Sequence, residues 1–283
     1  MKPGFLLCAE EAAGAEVLTL LIESDARMEG VLTSRPLAKT PSRIVQIARA
    51  ADVPLLPAEC VKEASFAADL KRLNVEVLLN VHSLHLVASE VLGAPSLGSF
   101  NVHPGPLPEY AGLNAAGWAI ANGETEFGTT LHWMEAEIDA GDIAFQERFP
   151  IDPAATALTL GIECSRGARR LTRQLLDALA TGHVPRQQQE LSSRRYFTRK
   201  ERPNDGRLPW WRSAQTVARF VRAFDHGPFA SPWGRPTAFL NGQQLEVARV
   251  TVSDPTIGDA PGMLRAGAHD TLEFATRDRW VRA

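Results

Sequence analysis

Cysteine is scarce in this chain: Cys8, Cys60 and Cys164 are the only three in 283 residues, and they lie far apart. An odd, scattered set excludes a disulfide framework and gives no paired spacing for a structural metal, so buried free thiols are expected. Long hydrophobic runs are also missing. No stretch approaches the roughly 20 apolar residues of a membrane helix, and the run at Phe5-Leu6-Leu7-Cys8 is too short for a signal peptide. No membrane is therefore expected as a partner, and a cytoplasmic location is the expectation. Nor is there an excess of positive charge, the formal net charge being −3. Nucleic-acid binders usually carry a basic excess, so DNA is not expected as a partner and tRNA is disfavoured. The sequence has no GxGxxG dinucleotide fingerprint, internal repeat or low-complexity tract.

What remains is ordinary globular composition, 45% hydrophobic and 22% charged, which is enough for a full core. The length suggests one large domain with a smaller appendage. Short apolar runs alternate with amphipathic segments in the first half. Strands are expected at Phe5–Cys8, Met28–Thr33, Pro54–Leu56, Val75–Asn80 and Gly98–Val102, and helices at Ala12–Glu23 and Arg43–Ala51. This alternation implies right-handed βαβ units in an α/β fold, a Rossmann-like doubly wound and mostly parallel sheet. Such sheets bind ligands beyond the carboxyl ends of their strands, where Asn80-Val81-His82-Ser83 and Asn101-Val102-His103-Pro104 fall.

A long helix is expected over Ala157–Thr181. Polar, basic and proline-bearing sequence after it suggests a linker. Beyond that, a short helix at Ser213–Phe224 is followed by strand-like runs at Pro236–Leu240, Gln244–Val252, Gly262–Ala266, Thr271–Thr276 and Arg279–Ala283. The expected organisation is a catalytic domain over 1–190, a linker over 191–207 and a β-barrel-like appendage over 208–283. Because the last run still reads as a strand, the chain is expected to be cut from a longer, multidomain polypeptide.

Asn101 and His103 are two apart on an expected strand end, so their side chains point to the same side. The following Pro104-Gly105-Pro106-Leu107-Pro108 forbids a helix and forms a rigid wall beside them. An Asn-x-His triplet alone is a weak signal. Asp139, in Glu137-Ile138-Asp139-Ala140-Gly141-Asp142-Ile143, adds a carboxylate in a tight glycine-bearing turn, although spacing leaves Asp142 as a rival. His82 and His85 lack a carboxylate or cysteine partner at ligand spacing, so no metal is expected there.

The combined string is more specific. Phe100 to Gly112 (FNVHPGPLPEYAG), Trp118-Ala119-Ile120, Gly123 to Thr130 (GETEFGTT) and Ile138 to Ile143 (IDAGDI) resemble the formyltetrahydrofolate-dependent formyltransferase family. That family includes methionyl-tRNA and glycinamide ribonucleotide formyltransferases, amino-sugar N-formyltransferases and formylation domains of peptide synthetases. The resemblance implies 10-formyltetrahydrofolate as formyl donor, with no metal. It places the catalytic trio on Asn101, His103 and Asp139, preferring Asp139 to Asp142. It places the pterin loop on Val81, His82, Ser83, Leu84, His85, Leu86 and Val87, closed by Ala136, Glu137 and Ile138. Acceptor contacts are expected at Pro104, Gly105, Pro106, Tyr110 and Asn114.

The sequence departs from the basic pattern that many tRNA and nucleotide-sugar members carry after the His-Pro-Gly stretch. Glu109 and Ala111 stand where those relatives have arginines. The resemblance is therefore nearest to peptide-synthetase formylation domains, which implies an aminoacyl or amino-acid-derived amine, free or carried on a carrier protein. Amino-sugar nucleotides, methionyl-tRNA and water, as in formyltetrahydrofolate hydrolases, are the alternative acceptors. The basic cluster Arg194, Arg195, Arg199, Lys200 and Arg202 reads either as a solvated linker or as a contact for a phosphate-bearing acceptor.

Overall fold

The computed structural model describes residues 2–34, 36, 39–240, 242–255, 259–267 and 271–283. Two compact units emerge. The first comprises Met1–Gly112, Gly128–Phe149 and Ile162–Tyr196; the second comprises Leu113–Phe127, Pro150–Gly161 and Phe197–Ala283. The elements begin with β1 (Gly4–Ala9), α1 (Glu11–Glu23), β2 (Arg27–Thr33), α2 (Arg43–Ala50), β3 (Leu55–Pro57), α3 (Phe66–Arg72), β4 (Val77–Val81), α4 (Ser89–Leu92) and β5 (Gly98–His103). After a two-residue strand β6 (Ala111–Gly112) come α5 (Ala115–Asn122), β7 (Glu126–Trp133), β8 (Ile143–Pro150) and α6 (Ala157–Thr181).

The first unit is built on a seven-stranded sheet in the order β3-β2-β1-β4-β5-β7-β8. Pairing is parallel from β3 to β5 and turns antiparallel between β5 and β7. Every residue of β1 and β4 is buried, as continuous apolar runs predict for strands covered on both faces. Alternate residues split between two cores. Phe5, Leu7 and Leu79 pack with Leu18 and Leu21 of α1 and Leu171 and Leu175 of α6, while Leu6, Cys8 and Leu78 pack with Phe66 and Leu70 of α3. This arrangement follows from the period-2 geometry of a strand. Cys8 and Cys164 are buried free thiols, and burial pushes each up to about 12.

The second unit continues through β9 (Tyr196–Phe197) to α7 (Ala214–Ala223), β10 (Thr237–Leu240), β11 (Gln243–Glu246), β12 (Thr251–Pro255), β13 (Leu264–Ala266), β14 (Leu272–Ala275) and β15 (Arg279–Arg282). Ser213 caps α7 by accepting from the Thr216 N–H. Helices α5 and α7 pack together around Trp233, whose ring lies so close to Gly117 that a side chain there would collide with it. The β-part is antiparallel: a hairpin β10-β11, and a sheet ordered β12-β15-β14-β13. The expected single strand Gln244–Val252 is two strands. The Val247 N–H still donates to the Pro236 carbonyl, and the chain then leaves the hairpin before β12 begins. Among the described residues, no helix is long and apolar enough to cross a membrane.

Candidate active site

β5 carries Asn101 and His103 toward its carboxyl end, between the parallel β4 and the antiparallel β7. Their register sets His132 opposite Asn101 and Thr130 opposite His103. Directly opposed residues on neighbouring strands share a face, so two polar positions from each strand meet there. Thr130 holds the proline-rich wall: its hydroxyl donates to the Gly105 carbonyl at 2.8 Å and accepts from the Leu107 N–H at 3.1 Å.

Asp139 enters from the turn after β7, in the left-handed region at φ 54. Its carboxylate accepts from the Gly112 N–H at 2.8 Å and lies 3.5 Å from His103 Nδ1 and 3.5 Å from His132 Nε2. The Asn101 amide donates to His132 Nε2 at 3.0 Å and, over a longer 3.4 Å, to Asp139 Oδ1. Its oxygen accepts from Asn80 Nδ2 at 2.9 Å. Asn80 in turn donates to the Ser83 carbonyl, which ties the loop after β4 to the same network. Asp142, the rival carboxylate, faces Arg186 at 3.2 Å instead. The structure thus brings together Asn101, His103 and Asp139, and adds Asn80 and His132.

The carbonyl partners fix both imidazoles. His103 Nε2–H donates to the Tyr110 carbonyl at 2.6 Å, because a carbonyl can only accept. Its Nδ1 is left facing Asp139. His132 Nδ1–H donates to the Trp133 carbonyl at 2.8 Å, leaving Nε2 as the acceptor of the Asn101 amide. Burial pushes the His103 imidazole below its ordinary value in spite of the Asp139 charge beside it. Burial by itself would raise the Asp139 carboxyl. His103, then His132 and the Gly112 N–H, outweigh it and hold the group well below the usual carboxylate range. At neutral pH the site is therefore an ionised carboxylate beside a neutral imidazole whose open nitrogen, Nδ1, faces it.

The other expected positions are dispersed. Val81 and Ser83 are buried, while Leu84 and Leu86 are largely exposed. His82 approaches Glu11 at 3.3 Å and His85 approaches Ser34 at 3.4 Å, so the two histidines do not converge. Among the described residues, no group of three His, Cys, Asp or Glu side chains has metal-binding geometry. Val87 packs against the second core. Ala136, Glu137 and Ile138 are exposed on the turn that carries Asp139. Gly105 and Pro106 are buried and Pro104 partly so. Tyr110 is buried under the Arg195 guanidinium, 4.4 Å from its ring centre, and meets the hydrogen-bonded network through its backbone carbonyl, which accepts from His103. Asn114 belongs to the second unit, in a left-handed conformation before α5.

Residues 6–170 match the formyl transferase family and residues 200–283 match the family described as formyl transferase, C-terminal domain. The first match alone spans more than half of the chain, so the chain belongs to the formyl transferase family. Solved structures share its fold along its length. An N-formyltransferase from Helicobacter canadensis, in complex with folinic acid and dTDP-3-aminofucose, is 17% identical with a TM-score of 0.74, covering 100% of this chain and 99% of that one. A 4-N formyltransferase from Francisella tularensis is 19% identical with a TM-score of 0.69, covering 87% and 96%. HypX from Aquifex aeolicus, in complex with tetrahydrofolic acid, is 21% identical with a TM-score of 0.67 and covers 99% of this chain but 43% of that one.

Proposed function

We propose that this formyltransferase moves a formyl group from 10-formyltetrahydrofolate to a primary amine, with Asn101, His103 and Asp139 as the catalytic residues. The observation that carries the reading is their convergence, from β5 and the turn after β7, into one hydrogen-bonded network. The residues around them suit a pterin. Leu84, Leu86 and Ile138 offer exposed apolar surface on the two flanking loops, and Asn80 Oδ1 and His82 Nε2 are buried without a hydrogen-bond partner. When bound, the folate supplies an activated formyl group on nitrogen.

The chain's own residues then divide the work. The Asn101 amide donates to the oxygen that becomes negative as the amine adds, replacing its longer contact to Asp139. Removing such a donor costs about 3–4 kcal/mol of transition-state stabilisation in other acyl transfers. His103, neutral at rest, receives the proton lost by the attacking amine at Nδ1, directly or through one water, and returns it to the departing nitrogen. Asp139 stabilises the imidazolium formed in between. His132 holds the Asn101 amide in the orientation that presents its N–H groups. No nucleophilic serine or cysteine is needed, so transfer is direct.

For the acceptor, an aminoacyl or amino-acid-derived amine, free or tethered to a carrier protein in a parent synthetase, is the first reading. Its support is Glu109, which sits in the acceptor stretch and is paired to Arg148 at 2.7 Å. A carboxylate there disfavours an acceptor phosphate. An amino-sugar nucleotide is the second reading, supported by the likeness over nearly the whole length of both chains to the Helicobacter canadensis enzyme with its bound dTDP-3-aminofucose. Incubation with 10-formyltetrahydrofolate and a panel of aminoacyl thioesters, amino acids and amino-sugar nucleotides, with folate release as the readout, separates them. Formylated product from either class identifies the acceptor. Folate release at an undiminished rate without any amine would replace both with hydrolysis.

A further inference from the structure

The turn that presents Asp139 is poorly held by its own backbone. Its one internal hydrogen bond, from the Ala140 N–H to the Glu137 carbonyl, is 3.4 Å long, and Asp139 itself takes a left-handed conformation that costs a non-glycine residue on the order of 1 kcal/mol or more. Such a conformation persists only where surrounding groups over-determine it. Here they come from the segment that follows α6.

That segment is laced along the turn. Gln187 and Ile143 exchange backbone hydrogen bonds of 2.8 and 2.9 Å, and Trp133 Nε1 donates to the Pro185 carbonyl at 2.8 Å. Past this anchor, the Gln189 side-chain amide donates to the Asp139 carbonyl at 3.0 Å and to the Gly141 carbonyl at 2.6 Å. The Arg194 guanidinium reaches the turn's other half, donating to the Ile138 carbonyl and to Glu137 Oε1, each at 2.6 Å. Three turn carbonyls that lack backbone partners, those of Ile138, Asp139 and Gly141, are thus satisfied by two side chains. Each of these side chains gives something up in doing so: Gln189 Oε1 and Arg194 Nε are buried without partners of their own. A side chain that leaves one polar atom unmatched in the interior is there for what its other atoms hold.

We infer that Gln189 and Arg194 are positioning residues that clamp the Glu137–Gly141 turn, so that the Asp139 carboxylate meets His103 and His132 at a fixed distance. They act through Asp139 by holding the turn that carries it. The inference rests on the proposed role of Asp139, and Arg194, from the stretch that reads as a solvated basic linker, becomes on this account part of the support of the site. A displacement of about 1 Å at a reacting group is enough to lower turnover on the order of 100-fold.

The test uses the full chain with Gln189→Leu, Arg194→Met and Arg194→Lys. In formyl transfer from 10-formyltetrahydrofolate to the best acceptor of the panel, Gln189→Leu and Arg194→Met should lower kcat about 10- to 100-fold with KM for the donor within about threefold. Arg194→Lys, which keeps one donor to the turn, should recover part of the loss. Independently of turnover, the imidazole NMR signals of His103 and His132 should move in both disruptive variants toward those of an Asp139→Asn protein. If the wild-type chain transfers no formyl group, the functional reading falls while the NMR comparison still decides the clamp. The Arg194 side chain keeps partial contact with solvent, whereas Gln189 is buried, so the Arg194 variants serve even where Gln189→Leu fails to fold. Unmoved imidazole signals in a folded Arg194→Met protein, or equal losses in Arg194→Lys and Arg194→Met, would overturn the inference.

Discussion

Two buried carboxylates, one in each unit, show what separates structure from chemistry in this chain. Glu273, in β14 of the second unit, is 4% exposed and is bracketed by Arg265 at 2.7 Å and Arg282 at 2.9 Å. Its partners are permanent cations, Arg265 foremost, and they hold its carboxyl below the ordinary value without offering a proton at any physiological pH. Asp139, in the first unit, is 7% exposed and is faced by two imidazoles, one amide and one backbone N–H. Of these, an imidazole can gain or lose a proton near neutrality. The same charge is therefore a rivet in one unit and, under the proposed mechanism, part of a relay in the other. Among the described residues, Glu273 and Thr276 are the buried polar side chains of the second unit; the rest, from Thr33 to Gln189, belong to the first.

The comparison breaks most easily at Asp139. Replacing it with asparagine keeps the shape and removes the charge, and kcat should fall about 100- to 10,000-fold. Because the folded chain favours the ionised carboxylate, the denaturant midpoint should fall as well; steady-state turnover beside urea unfolding checks both halves. Next in size is Trp233→Ala in the second unit. Trp233 is 4% exposed and contacts Trp118 and Phe224, so its loss should cost about 3–5 kcal/mol of stability, read by urea unfolding.

Glu273→Gln sharpens the contrast further. Both arginine partners are themselves partly open to solvent, so the cost should be about 1–2 kcal/mol rather than the larger value of a fully buried pair, and kcat should stay within about twofold. A tenfold loss of turnover in Glu273→Gln would abolish the distinction.

The smallest effect is one of pH. His103 has its folded value pushed below the ordinary imidazole value by burial, so below about pH 6.5 the unfolded chain takes up a proton that the folded chain refuses. Stability is thus fully present above that pH and declines as pH falls through it. Asp139, also shifted down, adds a loss of the same sign only at much more acid pH, below about 4. Thermal midpoints measured from pH 8 to pH 5 should fall in the wild type and fall less in His103→Gln.

Much of the first unit was legible because its signals are local. Apolar runs at Phe5–Cys8 and within Val75–Asn80 read as strands, which the structure sets at Gly4–Ala9 and Val77–Val81, and the helix over Ala157–Thr181 came out at its observed bounds. Asn101 and His103 stood two apart at an expected strand end, a weak signal that became specific only with the longer motif string and the family resemblance it carries. His132 was harder. Its signal was the polar alternation of Thr130 and His132 within an otherwise buried run, but that run carries meaning only once β7 is paired to β5 in one register. Gln189 and Arg194 were hidden altogether, since a polar, basic stretch after a helix reads the same whether it is solvated or laced to a turn some fifty residues away.

The amino-acid order by itself fixed the alternation of strands and helices, the rigid proline wall and which residue types stand at strand ends, because backbone sterics and side-chain periodicity act over a few residues. Spacing left Asp139 and Asp142 as rivals and the family resemblance preferred Asp139, which the structure sets against His103. Tertiary structure alone decided that His132 meets Asn101 and that the segment after α6 grips the turn. Those choices depend on strand register and on hydrogen bonds between groups brought together only when the chain closes, and no short-range rule encodes them.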